Sequence, residues 1–426
     1  MAKTPVPALW RRIARQILLE WRASKTPIDK LVRQSFTEAR VGQSERQAIG
    51  DVIFMAIRYW PLIASESFNP EIPKQLREFE DSVLELFSSD PAKLDRKHSA
   101  AKPKFEDSSV EHLRKFHHVP NFMLEEFGGK LEILHEYLHA MLAQAPTILR
   151  VNRSRISRDD FILRFADLPV VPSPWLPDAL YLSKRIHAQN HEAFLEGFCE
   201  IQDEHSQLAS IALDIKPGMR VLDLCAGGGG KSLHLAALLG NSGRVDAFDV
   251  DSKKLNRLSE RARRAGFTNI KPLKTAPKGA HYDRVLLDVP CSGLGTLRRS
   301  PDRLVRFSHA EARELRNIQR DLLAQGSSLL APNGKLVYAT CTMRPAENME
   351  PINEVFPGYS QSAPSIVETL RPHLGAATDN FLTLAAASPA ARLASMALPA
   401  NALQMGPWGQ TSGALVGDAF FICLVK

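Results

Sequence analysis

The sequence has no apolar run of membrane-spanning length, no paired cysteine motif and no internal repeat. Its longest apolar stretches are strand-sized, which argues against a spanning helix. The N-terminus, Met1-Ala2-Lys3-Thr4-Pro5 leading into Leu9-Trp10-Arg11-Arg12, is charged and amphipathic and does not read as a signal peptide. Only five cysteines occur in 426 residues, an odd number, widely spaced and without a CxxC pair. Neither a disulfide framework nor a zinc or other metal site is therefore expected, and a reducing, cytoplasmic setting fits. What is present is the composition of a globular protein with real cores, 44% hydrophobic and 24% charged, in a chain long enough for two or three domains.

Charge is unevenly spread. The net charge is +7, which points to an anionic partner. Residues 1–60 carry eleven Lys/Arg against five Asp/Glu. Residues 253–274 hold Lys253, Lys254, Arg257, Arg261, Arg263, Arg264, Lys271 and Lys274 against the single acid Glu260, and a third cluster is Arg298, Arg299, Arg303 and Arg306. One such cluster is ordinarily a solvated face; three together suggest a phosphate backbone.

Periodicity divides the chain. Leu9, Ile13, Ile17 and Trp21 recur at helical spacing, as do Ile28, Leu31 and Phe36, then Ile49 to Trp60, and Leu76, Phe79, Val83 and Phe87. Residues 88–109 are polar, with Pro91 and Pro103, and read as a surface connection before helical signal resumes through 120–142. Strands are expected at 148–152 and 180–182 with a helix over 158–165 between them, an α+β segment spanning 143–197. From 198 to 426 strands and helices alternate. Strands are expected at 219–224, 244–248, 282–287, 335–339 and 420–425, and helices at 232–239, 253–265 and 310–330. That alternation predicts an α/β, doubly wound, mostly parallel sheet, with ligands beyond the strand C-termini.

Four motifs fall at those C-termini. Cys225-Ala226-Gly227-Gly228-Gly229-Gly230-Lys231-Ser232 follows the first of these strands, and its glycines let a ligand approach the backbone near a helix start. A phosphate-binding P-loop would need a further glycine where Cys225 stands, and a dinucleotide fingerprint would need one at Ser232. Asp249 ends the next strand, where a carboxylate can accept ribose hydroxyls, while Asp251 reads as a helix N-cap. Asp288-Val289-Pro290-Cys291-Ser292-Gly293 and Ala339-Thr340-Cys341-Thr342 close the last two parallel strands. A lone cysteine at a strand end is most often a small core residue, and Cys199, Cys225 and Cys423 are read so as catalysts. Two at neighbouring strand ends, on the ligand side, suggest a thiolate nucleophile with a helper.

These motifs resemble those of the S-adenosylmethionine-dependent RNA cytosine-5 methyltransferases, and specifically the bacterial 16S ribosomal RNA enzymes of the Sun/Fmu group. Glu200-Ile201-Gln202-Asp203-Glu204-His205-Ser206, Arg298-Arg299-Ser300-Pro301-Asp302 and Pro345-Ala346-Glu347-Asn348 carry the likeness further, and Glu45-Arg46-Gln47-Ala48-Ile49-Gly50-Asp51 is similar to that family's NusB-like helical domain. The resemblance implies a Rossmann-like methyltransferase domain over 198–426, preceded by an all-helical NusB-like RNA-binding domain over 1–142 and the small α+β RNA-binding segment over 143–197. It implies Cys341 as the nucleophile at cytosine C6, Cys291 as the helper in release, and Asp288 at cytosine N3. S-adenosyl-L-methionine would lie against Cys225, Ala226, Gly227, Gly228, Gly229, Gly230 and Lys231, with Asp249 on its ribose and Asp288 near it. The arginines near the thiols would lower a cysteine pKa. The partner would be RNA, ribosomal by the resemblance, bound by a monomer with neither membrane nor metal.

The chain departs from the family pattern in having four glycines in a row, no acid in Leu273-Lys274-Thr275-Ala276-Pro277 to meet the adenine, and Val305 near the place of a tryptophan. Three other readings stand beside the methyltransferase. They are an assembly protein that binds RNA without catalysis, a DNA cytosine methylase attacking through the Pro-Cys motif, and a nucleotide-dependent oxidoreductase.

Overall fold

The computed structural model describes residues 7–425 except 25, 59, 61–69, 72, 89–109, 116, 118, 185, 241, 280, 359–364, 375–377, 394–401 and 406–417. The expected connection over 88–109 lies outside them beyond Ser88. Two compact units form: Met1–Gln144 with Thr296–His309, and Ala145–Gly295 with Ala310–Lys426. Among the described residues, no helix is long and apolar enough to cross a membrane.

The first unit is helical, with helices at Ala8–Ser24, Ile28–Glu38, Gln43–Arg58, Pro73–Ser88, Val110–Lys115, Asn121–Glu126 and Leu131–Ala140. The helical spacing works as a burial code. Ile13, Ile17, Trp21, Ile28, Leu31, Phe36, Ile49, Ile53 and Phe79 all enter one core, with Trp60 edge-on to Trp21 at 5.2 Å between centroids. Leu9, on the same stripe, stays 37% exposed because it lies in the first turn of its helix.

The segment Thr296–His309 belongs to this helical unit although the sequence reading placed it in the sheet domain. Its third basic cluster is largely consumed there. Arg298 is buried and donates to the Gln144 carbonyl at 2.8 Å, Arg58 donates to the Arg298 carbonyl, and Arg306 donates to Asp302 at 2.7 Å. Asp302 also accepts from the Ile28 amide at 3.1 Å. Arg298 and Arg306 thus hold this unit together, which corrects their reading as phosphate contacts.

The second unit contains two sheets. Strands β1 (Ile148–Val151), β2 (Val170–Pro172), β3 (Ala179–Leu182) and β4 (Cys199–Ile201) form an antiparallel sheet in the order β2-β3-β1-β4. Strand β2 lies in the proline-rich stretch expected to be a plain connection; Pro172 is tolerated because β2 is an edge.

The larger sheet is built from β5 (Arg220–Asp223), β6 (Arg244–Ala247), β7 (Ile270–Pro272), β8 (Tyr282–Asp288), β9 (Leu330–Thr340), β10 (Ala402–Met405) and β11 (Phe420–Leu424). Their order is β10-β11-β9-β8-β5-β6-β7. Strands β5 to β9 run parallel, and β10 and β11 are antiparallel additions. This is the doubly wound, Rossmann-like arrangement that the alternation predicts. The chain builds outward from β5 through β6 to β7, then resumes on the other side of β5 at β8. That reversal opens a crevice beyond the carboxyl ends of β5 and β8. Strands β7 and β10 were not foreseen; each is only three or four residues long and sits at an edge.

Asn152, at the end of β1, ties the small sheet to the large one. Its buried Nδ2 donates to the carbonyls of Gly197 and Ala265, each at 3.0 Å. Asn152→Ala would strand two carbonyls out of water. It is expected to cost about 2 kcal/mol, read as a lowered denaturant midpoint with an unchanged slope.

Candidate active site

In strand order, the carboxyl ends of β9, β8, β5 and β6 are neighbours. The four motifs therefore line up along one edge: Cys341 after β9, Asp288 and Cys291 after β8, the glycine loop after β5, Asp249 after β6. At the usual spacing of about 4.8 Å between strands, β6 and β8 lie about 10 Å apart, the reach of an extended nucleoside-sized ligand.

The loop needs its glycines unequally. Gly227 and Gly229 have φ of 54° and 89°, in the left-handed region, and a Cβ on Gly229 would stand 2.7 Å from Leu258 Cγ. The helix Gly230–Leu238 begins directly after. Arg261 donates to the Gly228 carbonyl at 2.6 Å and Arg150 to the Gly230 carbonyl at 2.9 Å. Both arginines gather around buried Glu200: Arg261 donates to it at 2.9 Å, Arg264 pairs with it, and Arg150 faces it across the β1–β4 ladder. Burial draws the Arg150 pKa down to about 10, with Glu200 opposing. The loop thus rests on an ion cluster from the small sheet and the helix Ser252–Ala265, so three members of the second basic cluster, Lys254, Arg261 and Arg264, act structurally.

Asp249 takes the Gly227 amide on Oδ2 and the Asp251 amide on Oδ1, both at 2.9 Å, with Lys254 Nζ at 3.7 Å. These bonds fix its plane and leave lone pairs for further donors. Asp251 caps its helix as expected, accepting from the Lys253 amide at 2.9 Å. Lys231 is no solvated helix-start lysine: Nζ meets Asp288 Oδ2 at 2.5 Å and lies 5.1 Å over the Phe420 ring. Beneath them, Asp223 is fully buried, accepts from Ser232 Oγ at 2.6 Å, and is pushed up to about 7 by burial, with Asp288 adding to the rise. Burial also holds the Cys225 thiol protonated, and Asp223 reinforces it.

Cys291 and Cys341, fifty residues apart in sequence, place their sulfurs 3.3 Å apart. The parallel register of β8 and β9, with Asp288 opposite Ala339, brings the two loops side by side. Further bonds lock them. Ser292 Oγ lies 2.9 Å from Thr342 Oγ1, and the Gly295 amide donates to the Cys341 carbonyl at 2.8 Å. Cys291 is raised well above an ordinary thiol, first by its bond to Cys341, then by burial and by Glu347. The expected lowering of a thiol pKa by neighbouring arginines is not found at Cys291. Cys199 and Cys423 are buried away from this edge, and burial raises both, Cys199 to about 12. Among the described residues, no cluster of three metal-ligating side chains occurs.

The sequence reading missed Asp223, Ser232, Arg150, Glu200 and Glu347 as parts of this edge. Ser232, Glu200 and Glu347 lie inside quoted motifs, but burial and pairing are the signals that single them out. A proton on Asp223 has a clear consequence. Because its folded pKa lies above the unfolded value of roughly 3.9, the folded protein binds the extra proton between about pH 4 and 7 and loses stability as pH rises through that window. Asp223→Asn removes this loss. Its thermal midpoint should fall less than the wild type's between pH 5 and 8, a difference on the order of 2 kcal/mol, or roughly 2–4 °C for each kcal/mol.

Comparison with known proteins accords with this geometry. Residues 210–377 match the family described as 16S rRNA methyltransferase RsmB/F, and residues 124–189 match the ferredoxin-like domain of RsmF/B-like methyltransferases. A probable ribosomal RNA small subunit methyltransferase B of Synechocystis is 36% identical over 243 residues, 54% of this chain and 54% of that protein. Its counterpart from Bacillus subtilis is 35% identical over 258 residues, 58% of each. The chain thus spans about half the length of the curated relatives it matches. The fold is shared with the crystal structure of PH0851, at 22% identity, a TM-score of 0.69 and 99% coverage of both chains. A methyltransferase homologue from Pyrococcus horikoshii shares it at 24% identity and a TM-score of 0.56, over 76% of this chain and 98% of that one. Over residues 210–377 and 124–189 the chain is thus similar to the RsmB/F 16S rRNA methyltransferases.

Proposed function

We propose that this protein, as a cytoplasmic monomer, transfers a methyl group from S-adenosylmethionine to C5 of a cytosine in RNA, with 16S ribosomal RNA as the substrate class. One observation carries the reading: two thiols 3.3 Å apart at adjacent parallel strand ends, one strand away from a glycine loop. A DNA-type enzyme needs only the Pro-Cys thiol, and an oxidoreductase needs neither.

The loop suits a nucleoside-bearing cofactor. Gly228 and Gly230 offer backbone without side chains, and Asp249 is held in a fixed plane with acceptor capacity left for ribose hydroxyls. Cys225, Ala226 and the loop through Lys231 would line it, with Asp288 set by Lys231 between cofactor and base. When bound, S-adenosylmethionine supplies the electrophilic methyl group.

The protein's own groups would handle the base. The bond to Cys341 and burial favour the protonated form of Cys291, and we assign Cys341, 3.3 Å away, as the nucleophile. Cys341 attacks C6, and electron density moves to C5, which takes the methyl group. Asp288 hydrogen-bonds N3 as charge develops there. Once the Cys341 sulfur is bonded to carbon it no longer props up the Cys291 proton. Cys291 then gives that proton to water and, as a thiolate, takes the one from C5; the C5–H electrons re-form the C5–C6 double bond and expel Cys341 as its thiolate. Attack requires the cytosine to leave any stack, so a single-stranded or opened RNA loop fits. The exposed Lys253, Arg257 and Arg263, and in the helical unit Arg11 and Arg12, are the described cations we assign to the phosphates. In this reading residues 1–142 and 143–197 serve to grip RNA.

With unmodified 16S rRNA and labelled S-adenosylmethionine, the wild type should form 5-methylcytosine. Cys341→Ala should lose activity by roughly 10³-fold or more and form no covalent RNA adduct, whereas Cys291→Ala should accumulate one that resists denaturing electrophoresis. The opposite pattern would reverse the two roles, and RNA binding without methylation would favour an assembly protein.

A further inference from the structure

The reaction assigns no task to the turn Pro345–Glu347 that follows the second cysteine loop, yet that turn holds both thiol loops at once. Glu347 is fully buried. Its Oε1 accepts the Ser292 amide at 2.7 Å and Gln319 Nε2 at 3.3 Å; Oε2 accepts Arg344 Nη1 at 3.2 Å; its carbonyl accepts the Tyr338 hydroxyl at 2.6 Å. Gln319 also donates to the Pro290 carbonyl at 2.9 Å, so Cys291 is clasped through its neighbours on both sides. The next residue, Asn348, does the same for Cys341: its Oδ1 accepts Thr340 Oγ1 at 2.6 Å and its Nδ2 donates to the Thr342 carbonyl at 3.3 Å.

A carboxylate in a dry core is costly unless its oxygens are well bonded, and a hydrophobic residue would serve packing alone at lower cost. Here the bonds are spent on the residue beside Cys291. The charged or titratable groups around that thiol are Cys341, Glu347 and Tyr338, with Arg344 paired to the far oxygen of Glu347 and Asp288 three residues before Cys291 in sequence.

We propose that Glu347 is the positioning residue of the thiol pair: through the Ser292 amide and Gln319 it sets Cys291 against Cys341 and places a carboxyl group beside the Cys291 loop. This rests on the methyltransferase reading above. A displacement of one sulfur by about 1 Å would lower the adduct step without touching RNA or cofactor binding.

Two variants test it, Glu347→Gln, which keeps an acceptor for the Ser292 amide but removes the charge, and Glu347→Ala, which removes both. With the full-length protein, Glu347→Ala should lower kcat by about 10²-fold and Glu347→Gln by less, with the KM for RNA and for S-adenosylmethionine within about twofold of wild type. A packing role alone would leave the pH midpoint for alkylation of Cys291 unmoved. In a Cys341→Ser background, the pH midpoint for alkylation of Cys291 by iodoacetamide should fall on Glu347→Gln, because a neighbouring negative charge has gone. The proposal is overturned if kcat is unchanged in both variants, if the loss lies wholly in RNA KM, if the alkylation midpoint does not move, or if both variants fail to fold. Wild type assayed alongside separates the two ideas: if it makes no 5-methylcytosine, the methyltransferase reading fails and not merely the role of Glu347.

Discussion

The parallel register between β8 and β9 is the constraint on which the candidate site depends. Asp288 stands opposite Ala339, and three residues on from the one and two on from the other Cys291 and Cys341 meet at 3.3 Å. A slip of one residue would turn the side chains of one strand to the other face and separate the thiols. The register is held by apolar residues on both faces, Val285, Leu287, Leu336 and Tyr338 on one and Leu286 and Val337 on the other, all fully buried. Beyond the strand ends, where backbone pairing stops, polar side chains continue the lock.

Buried charge does a second kind of work. Glu200 gathers Arg261 and Arg264 beneath the glycine loop, and Glu347 ties the cysteine loops together. Each is an acid whose two oxygens are both engaged by donors, from one helix at Glu200 and from separate segments at Glu347, so each converts desolvation cost into a defined geometry. The small antiparallel sheet is part of this, since Arg150 on β1 reaches the carbonyl of Gly230. Asp223 is the contrast: its second oxygen has no partner, and its pKa rises accordingly.

Much of the fold was legible from local pattern. The strand–helix alternation after residue 198 located five parallel or antiparallel strands within a residue or two, except that β9 begins five residues earlier, because apolar runs bounded by glycine or polar turns carry a strong signal. Short edge strands such as β7 and β10 were not, since three or four residues have too little periodicity to read. Basic clusters misled most. Arg298 and Arg306 looked like phosphate contacts by composition, yet each is held by carbonyls or a carboxylate within the helical unit. Linear charge density does not distinguish a solvated arginine from a buried one.

The sequence by itself determined which chemistries the chain can offer: thiols after two apolar strands, a glycine run before a helix, carboxylates at strand ends. These are local features, set by residue type and by spacing within about ten positions. Only the tertiary structure decided that the two thiols meet, that Lys231 answers Asp288, and that Glu347 braces the pair. Those contacts join residues 28 to 57 positions apart, and they follow from strand order and register, which depend on the summed packing of the whole sheet.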